Sequence, residues 1–177
     1  MIEKTQSSHT IYTGRVLNLR VDTVAGPQGV TTREIVEHAP AVTILPYDSA
    51  ATIYLIHQFR KAVDEVLIEA PAGCIDPGEA PIDAAHRELK EETGFVAEKC
   101  TLMGEMYMAP GFCNEYMHIF LATDLTVGDT DFDDDETMTM APYSLTEAWA
   151  MITNGRIKDA KTVLAIQYLT AHLTSQQ

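Results

Sequence analysis

The stretch from Gly73 to Phe95 constrains this chain more than any other part of it. Ile82, Ala85 and Leu89 recur at helical spacing, which predicts a helix over Pro81–Thr93 with one apolar stripe and a stop at Gly94. Glu88 and Glu92, four residues apart, fall along the edge of that stripe, where buried face meets cleft, and Glu91 crowds them. Like charges at that spacing cost a bare helix a few tenths of a kcal/mol, and a bound cation turns the cost into a gain. Oxygen-only ligands favour a hard ion, Mg²⁺ or Mn²⁺, with waters and substrate phosphates completing the shell. Such an ion neutralises charge on a pyrophosphate and activates an attacking water. The plainer reading of any two or three of these residues is a surface helix rich in Glu and Lys.

Around the helix, strand patterns dominate. Val16–Val24 alternates through Leu17, Leu19 and Val21, and Thr31–Val36 follows a turn at Gly26, Pro27 and Gly29, so an N-terminal β-hairpin is predicted. Ala41–Leu45, Ala51–Gln58 and Glu115–Ala122 are further strands, the last beyond a Pro110-Gly111 turn. Helices are predicted over Leu145–Asn154, capped by Ser144 and followed by Gly155, and over Ala160–Leu173, capped by Asp159. Strands bracketing a central helix, with two helices at the end, predict an α/β (α+β) layered domain with a mixed sheet.

The length of 177 residues and an apolar content of 46% suit one main domain with a small appendage. A net charge of −14 argues against a nucleic-acid polymer as partner, because a phosphate backbone is held mainly by Lys and Arg. Met1–Thr10 is polar without a basic start and an apolar run, and no stretch approaches a membrane span, so a soluble, cytoplasmic protein is expected. Cys74, Cys100 and Cys113 form neither a paired framework nor a metal-ligand spacing, which suits a reducing compartment and predicts free, buried thiols. Asp129–Glu136 is an acidic run that reads as a solvated loop.

Taken together, Gly73, Glu79, Arg87-Glu88-Leu89, Glu91-Glu92 and Gly94-Phe95 resemble the Nudix box, Gly-x5-Glu-x7-Arg-Glu-U-x-Glu-Glu-x-Gly-U with U bulky and apolar. Leu89 and Phe95 fill the two apolar slots. Seven fixed positions, each met by chance at ordinary residue usage, make an accidental match on the order of one in a million or less. The resemblance implies a Nudix fold, an α/β/α sandwich, and hydrolysis of a nucleoside diphosphate linked to another group. It implies further that Glu88 and Glu92 bind metal with the backbone carbonyl of Ala72, that Glu91 assists the cluster, and that Arg87 holds the glutamates in place.

The flanks resemble the ADP-ribose pyrophosphatases within that family. Glu69-Ala70-Pro71-Ala72-Gly73 is similar to their Glu-x-Pro-Ala-Gly, Pro110 sits where they carry a marker proline, and Gln58-Phe59-Arg60 is similar to their Gln-aromatic-Arg. Ala109-Pro110-Gly111-Phe112 with Glu115, Arg33-Glu34, Asp134-Asp135-Glu136 and Asp159-Ala160-Lys161-Thr162 extend the similarity over most of the chain. Ala109 stands where Ser is frequent, and Ala70 where a larger apolar residue is frequent; both departures bear on the sugar rather than on the metal site. The resemblance implies Arg33, Glu34, Arg60, Glu115, Pro110 and Gly111 as substrate contacts. Residues 1–38 are read as a β region swapped in a homodimer, and residues 39–177 as the Nudix domain. For the catalytic base the candidates are Glu91, Glu115 and Glu136, and related enzymes take it from a loop after the last long strand, which places it at Glu136. ADP-ribose is the expected substrate, with hydrolysis of another nucleoside diphosphate sugar such as GDP-mannose as the alternative. A sensor that binds ADP-ribose without cleaving it is the remote one, because the box carboxylates are all present.

Overall fold

The computed structural model describes residues 2–128 and 138–175. It contains two compact units, one from Met1–Pro40 with Met106–Met117, the other from Ala41–Glu105 with His118–Gln177.

The first unit is a three-stranded antiparallel sheet in the order β1 (Lys4–Thr13), β2 (Leu17–Gly26), β3 (Gly29–His38). The β2–β3 turn closes on the Gly26–Gly29 pair, and Gly29 takes a φ of 111°, open to glycine and costly for other residues. The predicted hairpin is therefore two strands of three. Lys4–Thr13 escapes sequence patterning because every one of its residues is exposed, so it has no apolar alternation to read. Along β3, Val36 N–H donates to Phe112 O at 2.7 Å, Asn114 N–H donates to Val36 O at 3.2 Å, and His38 N–H donates to Asn114 Oδ1 at 2.8 Å. These bonds pin the Pro110–Asn114 turn beside the sheet.

The second unit carries β4 (Ala41–Pro46), β5 (Thr52–Arg60), β6 (Glu65–Glu69), β7 (Ala72–Cys74), α1 (Pro81–Thr93), most of β8 (Phe95–Tyr107) and β9 (Tyr116–Val127), β10 (Met138–Ser144), α2 (Leu145–Thr153) and α3 (Ala160–Ser175). They form two sheets, in the orders β7-β4-β9-β8 and β10-β5-β6. All six residues of β4 are buried, so both faces of that strand are covered. On one face Val42 and Ile44 join Ala84, Ala85 and Leu89 of α1, with Phe95, Ala97, Phe120 and Ala122 completing the cluster. Helix α3 also packs on β4, which gives the α/β/α layering expected of the fold. Leu89 is wholly buried, a contribution of roughly 1.5–3 kcal/mol from one side chain.

Helix α1 begins with Pro81 in its first turn, where the missing N–H is no loss. It ends at Gly94, whose φ of 71° lets its N–H return to Lys90 O. Two expectations need correction: the free thiols are not buried, Cys74 being exposed at the end of the short strand β7 and Cys100 and Cys113 half-buried, and Ile82 is exposed, with Ala84 buried in its stead. Ile82 sits in the first turn, and the sheet covers the two alanines, whose small side chains admit a close approach. Ser144 and Glu147 make a reciprocal capping box on α2, and Asp159 Oδ2 accepts Thr162 N–H at 3.0 Å at the start of α3.

Candidate active site

The second unit gathers the box around one guanidinium. Arg87 donates from Nε and Nη2 to the two oxygens of Glu79 at 2.9 and 3.0 Å, and from Nη1 to Glu88 Oε1 at 2.6 Å and Glu91 Oε2 at 3.0 Å. Nη2 also reaches the carbonyl of Cys74 at 3.0 Å. A planar fork with five N–H groups can make all five of these bonds at once; an ammonium, with three, cannot. Hydrogen bonding to Glu79, against the opposing effect of burial and together with Glu88 and Glu91, raises the Arg87 pKa further above its already high value. Glu79 is held below the usual carboxylate range by Arg87 and by the Asp76 N–H that it accepts at 2.9 Å. Glu79 is thus a member of the cluster to which the sequence reading gave no role. Its signal was its fixed place in the motif, eight residues before Arg87.

Glu92 lies one turn beyond Glu88 on α1 and is only 4% exposed. Its Oε2 accepts the N–H of Ala72 at 2.9 Å, tying the strand β7 to the helix. The neighbouring Gly73 is required by close approach, since a Cβ there would overlap the Glu88 carboxylate. The strand thus lies directly against the carboxylates of α1. Among the described residues no three His, Cys, Asp or Glu side chains form a complete ligand set. The donors at hand are all hard oxygens, Glu88, Glu92 and the Ala72 carbonyl, with Glu91 at the edge. That supply fits a hard divalent ion that keeps waters and takes phosphate oxygens in its remaining positions.

Four other candidates share a place in the first unit. Arg33, Glu34, Pro110 and Gly111 line one cavity of about 510 Å³ with Glu3, Arg20, Tyr107 and Phe112. Arg33 donates to Glu3 from Nε at 3.1 Å and from Nη2 at 2.6 Å, an exposed pair that another anion can replace at little cost. Glu115 belongs to the same unit and stands 3.8 Å from His38 Nδ1. Arg60 lies in the second unit, and its Nε and Nη2 each donate to Glu69 at 2.8 Å. Glu136 falls outside the described residues.

Comparison with known proteins agrees with this geometry. Residues 37–165 match the NUDIX domain. The chain is 39% identical over 170 residues to an ADP-ribose pyrophosphatase of Bacillus subtilis, covering 94% of this chain and 92% of that one. It is 37% identical over 150 residues to a GDP-mannose pyrophosphatase of Yersinia enterocolitica, covering 79% of this chain and 78% of that one. Among solved structures, an ADP compounds hydrolase superposes with a TM-score of 0.87 at 25% identity, covering 99% of this chain and 96% of that one. A glutamate cluster built on α1, the matched domain and relatives aligned over most of the chain lead to one assignment: this chain belongs to the Nudix family and is a hydrolase of it.

Proposed function

We propose that the chain hydrolyses ADP-ribose to AMP and ribose 5-phosphate with Mg²⁺ or Mn²⁺ as cofactor. Water forms a new P–O bond and the bridging P–O bond of the diphosphate breaks. The observation that carries this reading is the apposition of Glu88 and Glu92 to the Ala72–Gly73 backbone, with Arg87 holding the surrounding carboxylates. Glu88, Glu92 and the Ala72 carbonyl would hold the ion, and Glu91 would lie at the margin of the cluster. When bound, the ion supplies charge neutralisation on the diphosphate and a lowered pKa for the attacking water. Arg87 keeps Glu88 and Glu91 in register without neutralising the cluster, because its single charge stands against Glu79, Glu88 and Glu91, with Glu92 as a fourth carboxylate beside them. Glu136, outside the described residues, is proposed as the general base.

The substrate is proposed to be contacted in the cavity lined by Arg33, Glu34, Pro110 and Gly111, where the Arg33 fork suits the paired anionic oxygens of a diphosphate. The β region of residues 1–38 is proposed to be exchanged in a homodimer. Its support is the exposure of the whole of β1 and of Ile11, Tyr12, Val16 and Val30, apolar surface that a partner would cover. GDP-mannose stays as a second reading, favoured by the similarity to a GDP-mannose pyrophosphatase over 79% of the chain. A panel of nucleoside diphosphate sugars with Mg²⁺ separates the two. The highest kcat/KM on ADP-ribose is expected, and a preference for GDP-mannose would remove the adenine assignment.

A further inference from the structure

Behind the box lies a buried polar cluster that the proposed chemistry does not use. Glu69, 1% exposed, ends β6 three residues before Ala72. Its carboxylate takes both Arg60 bonds and an ion pair from Lys161 Nζ of α3, and Lys161 also reaches Asp159 Oδ2 at 3.1 Å. Burial pushes the Glu69 carboxyl up, but the Arg60 bonds and the Lys161 charge outweigh it and leave the group below the usual carboxylate range. Next to this pair, Thr162 is wholly buried; its hydroxyl accepts Ala70 N–H at 2.7 Å and donates to Asp159 Oδ2 at 2.5 Å.

Following the backbone from there, each successive group is fixed from a different element. Ala70 N–H is held by α3, the Pro71 carbonyl by Ile44 N–H at 2.8 Å and Thr43 Oγ1 at 3.1 Å of β4, and Ala72 N–H by Glu92 of α1. Pro71 has no N–H to contribute and a fixed φ, so the short segment has almost no remaining freedom. A plain tie between helix and sheet needs only apolar contact, and burying Glu69 and Lys161, with Arg60 and Asp159 half-buried beside them, is an expensive way to obtain it. Fixing one carbonyl to within tenths of an ångström does need directional bonds.

We propose that Lys161 and Thr162 of α3 are positioning residues for the box, which with Glu69 and Arg60 set the place of the Ala70–Ala72 backbone and through it the Ala72 carbonyl and the Glu92 carboxylate. The inference rests on the reading that Ala72, Glu88 and Glu92 hold the divalent ion. It gives the chain's last helix, some seventy residues from the box, a part in cation binding that passes through the backbone.

The test is Mn²⁺ affinity of the full-length protein without substrate, followed by the electron paramagnetic resonance of free Mn²⁺, beside the thermal midpoint and the KM and kcat for ADP-ribose. The variants are Thr162→Val, which deletes one hydroxyl at constant shape, its conservative partner Thr162→Ser, the neutral double variant Glu69→Gln/Lys161→Met, and Glu92→Gln. Loss of an outer support for a metal ligand costs about 10–100-fold in affinity, so Thr162→Val and the double variant should weaken Mn²⁺ by at least about tenfold, with kcat falling and KM little changed. Thr162→Ser should restore wild-type affinity. If Thr162→Val and the double variant bind Mn²⁺ as the wild type does, whatever their thermal midpoints, while Glu92→Gln does not, the cluster is a structural tie and the inference fails alone. Wild-type affinity in Glu92→Gln would remove the metal reading, and the positioning role with it.

Discussion

At the scale of single residues, Gly73 offers the sharpest separation of activity from folding. The atoms that a Cβ would meet are the end of the Glu88 side chain, which can swing away, so Gly73→Ala should fold with a thermal midpoint near that of the wild type. The displaced carboxylate would leave its Arg87 bond and its place beside Ala72. Misplacement of a catalytic group by about 1 Å costs on the order of 10²-fold, and kcat/KM should fall by about that factor. Steady-state kinetics beside a melting curve decide it; full activity would mean that the Glu88–Gly73 approach is not needed. Glu136 and Glu115 divide the remaining chemistry. Glu136→Gln should lower kcat by roughly 10²–10⁴-fold with little change in KM or in Mg²⁺ dependence, as general-base loss does. Glu115→Gln should act on KM or metal dependence instead, and an active Glu136→Gln enzyme would return the base to Glu91 or Glu115.

At the scale of elements, legibility followed how much of the information was local. Helix α1 was readable in its extent because a helical apolar period, a proline in the first turn and a left-handed glycine stop all lie within it or at its end. Strand β1 was unreadable because ten exposed residues carry no alternation, and its pairing with β2 is decided elsewhere in the chain. Strand β7 is three residues long, too short for any period, and β8 has its apolar pattern interrupted at Glu98, Lys99 and Gly104. Ile82 had the right angle on the helix for burial but lies in its first turn. Among site residues, the box was legible through fixed spacing. The pairing of Arg60 with Glu69, and of Glu69 with Lys161 ninety-two positions away, is tertiary and left no local trace. The N-terminal sheet has its own prediction. Removing residues 1–38 takes away all three of its strands with Arg33 and Glu34, and should yield a poorly soluble or monomeric product with weak ADP-ribose binding. Size-exclusion chromatography with light scattering and a KM determination test it, and a well-behaved truncation with unchanged KM would rule out the exchanged region.

At the scale of the whole molecule, an acidic chain of net charge −14 handles an anionic substrate. Like charges of that size disfavour approach unless cations are gathered locally. In the second unit the carboxylates of α1 are proposed to gather divalent ions, and in the first unit Arg20 and Arg33 line the cavity proposed to contact the substrate. The box glutamates are proposed to make a divalent-cation site at which a diphosphate is cut. The most direct measurement is product analysis of purified protein incubated with ADP-ribose, first stripped of metal by a chelator and then resupplied with Mg²⁺. No turnover is expected in the stripped protein, and AMP and ribose 5-phosphate in equal amounts once Mg²⁺ returns. Intact ADP-ribose after Mg²⁺ is restored, or the same products at an undiminished rate without any metal, would contradict that proposal.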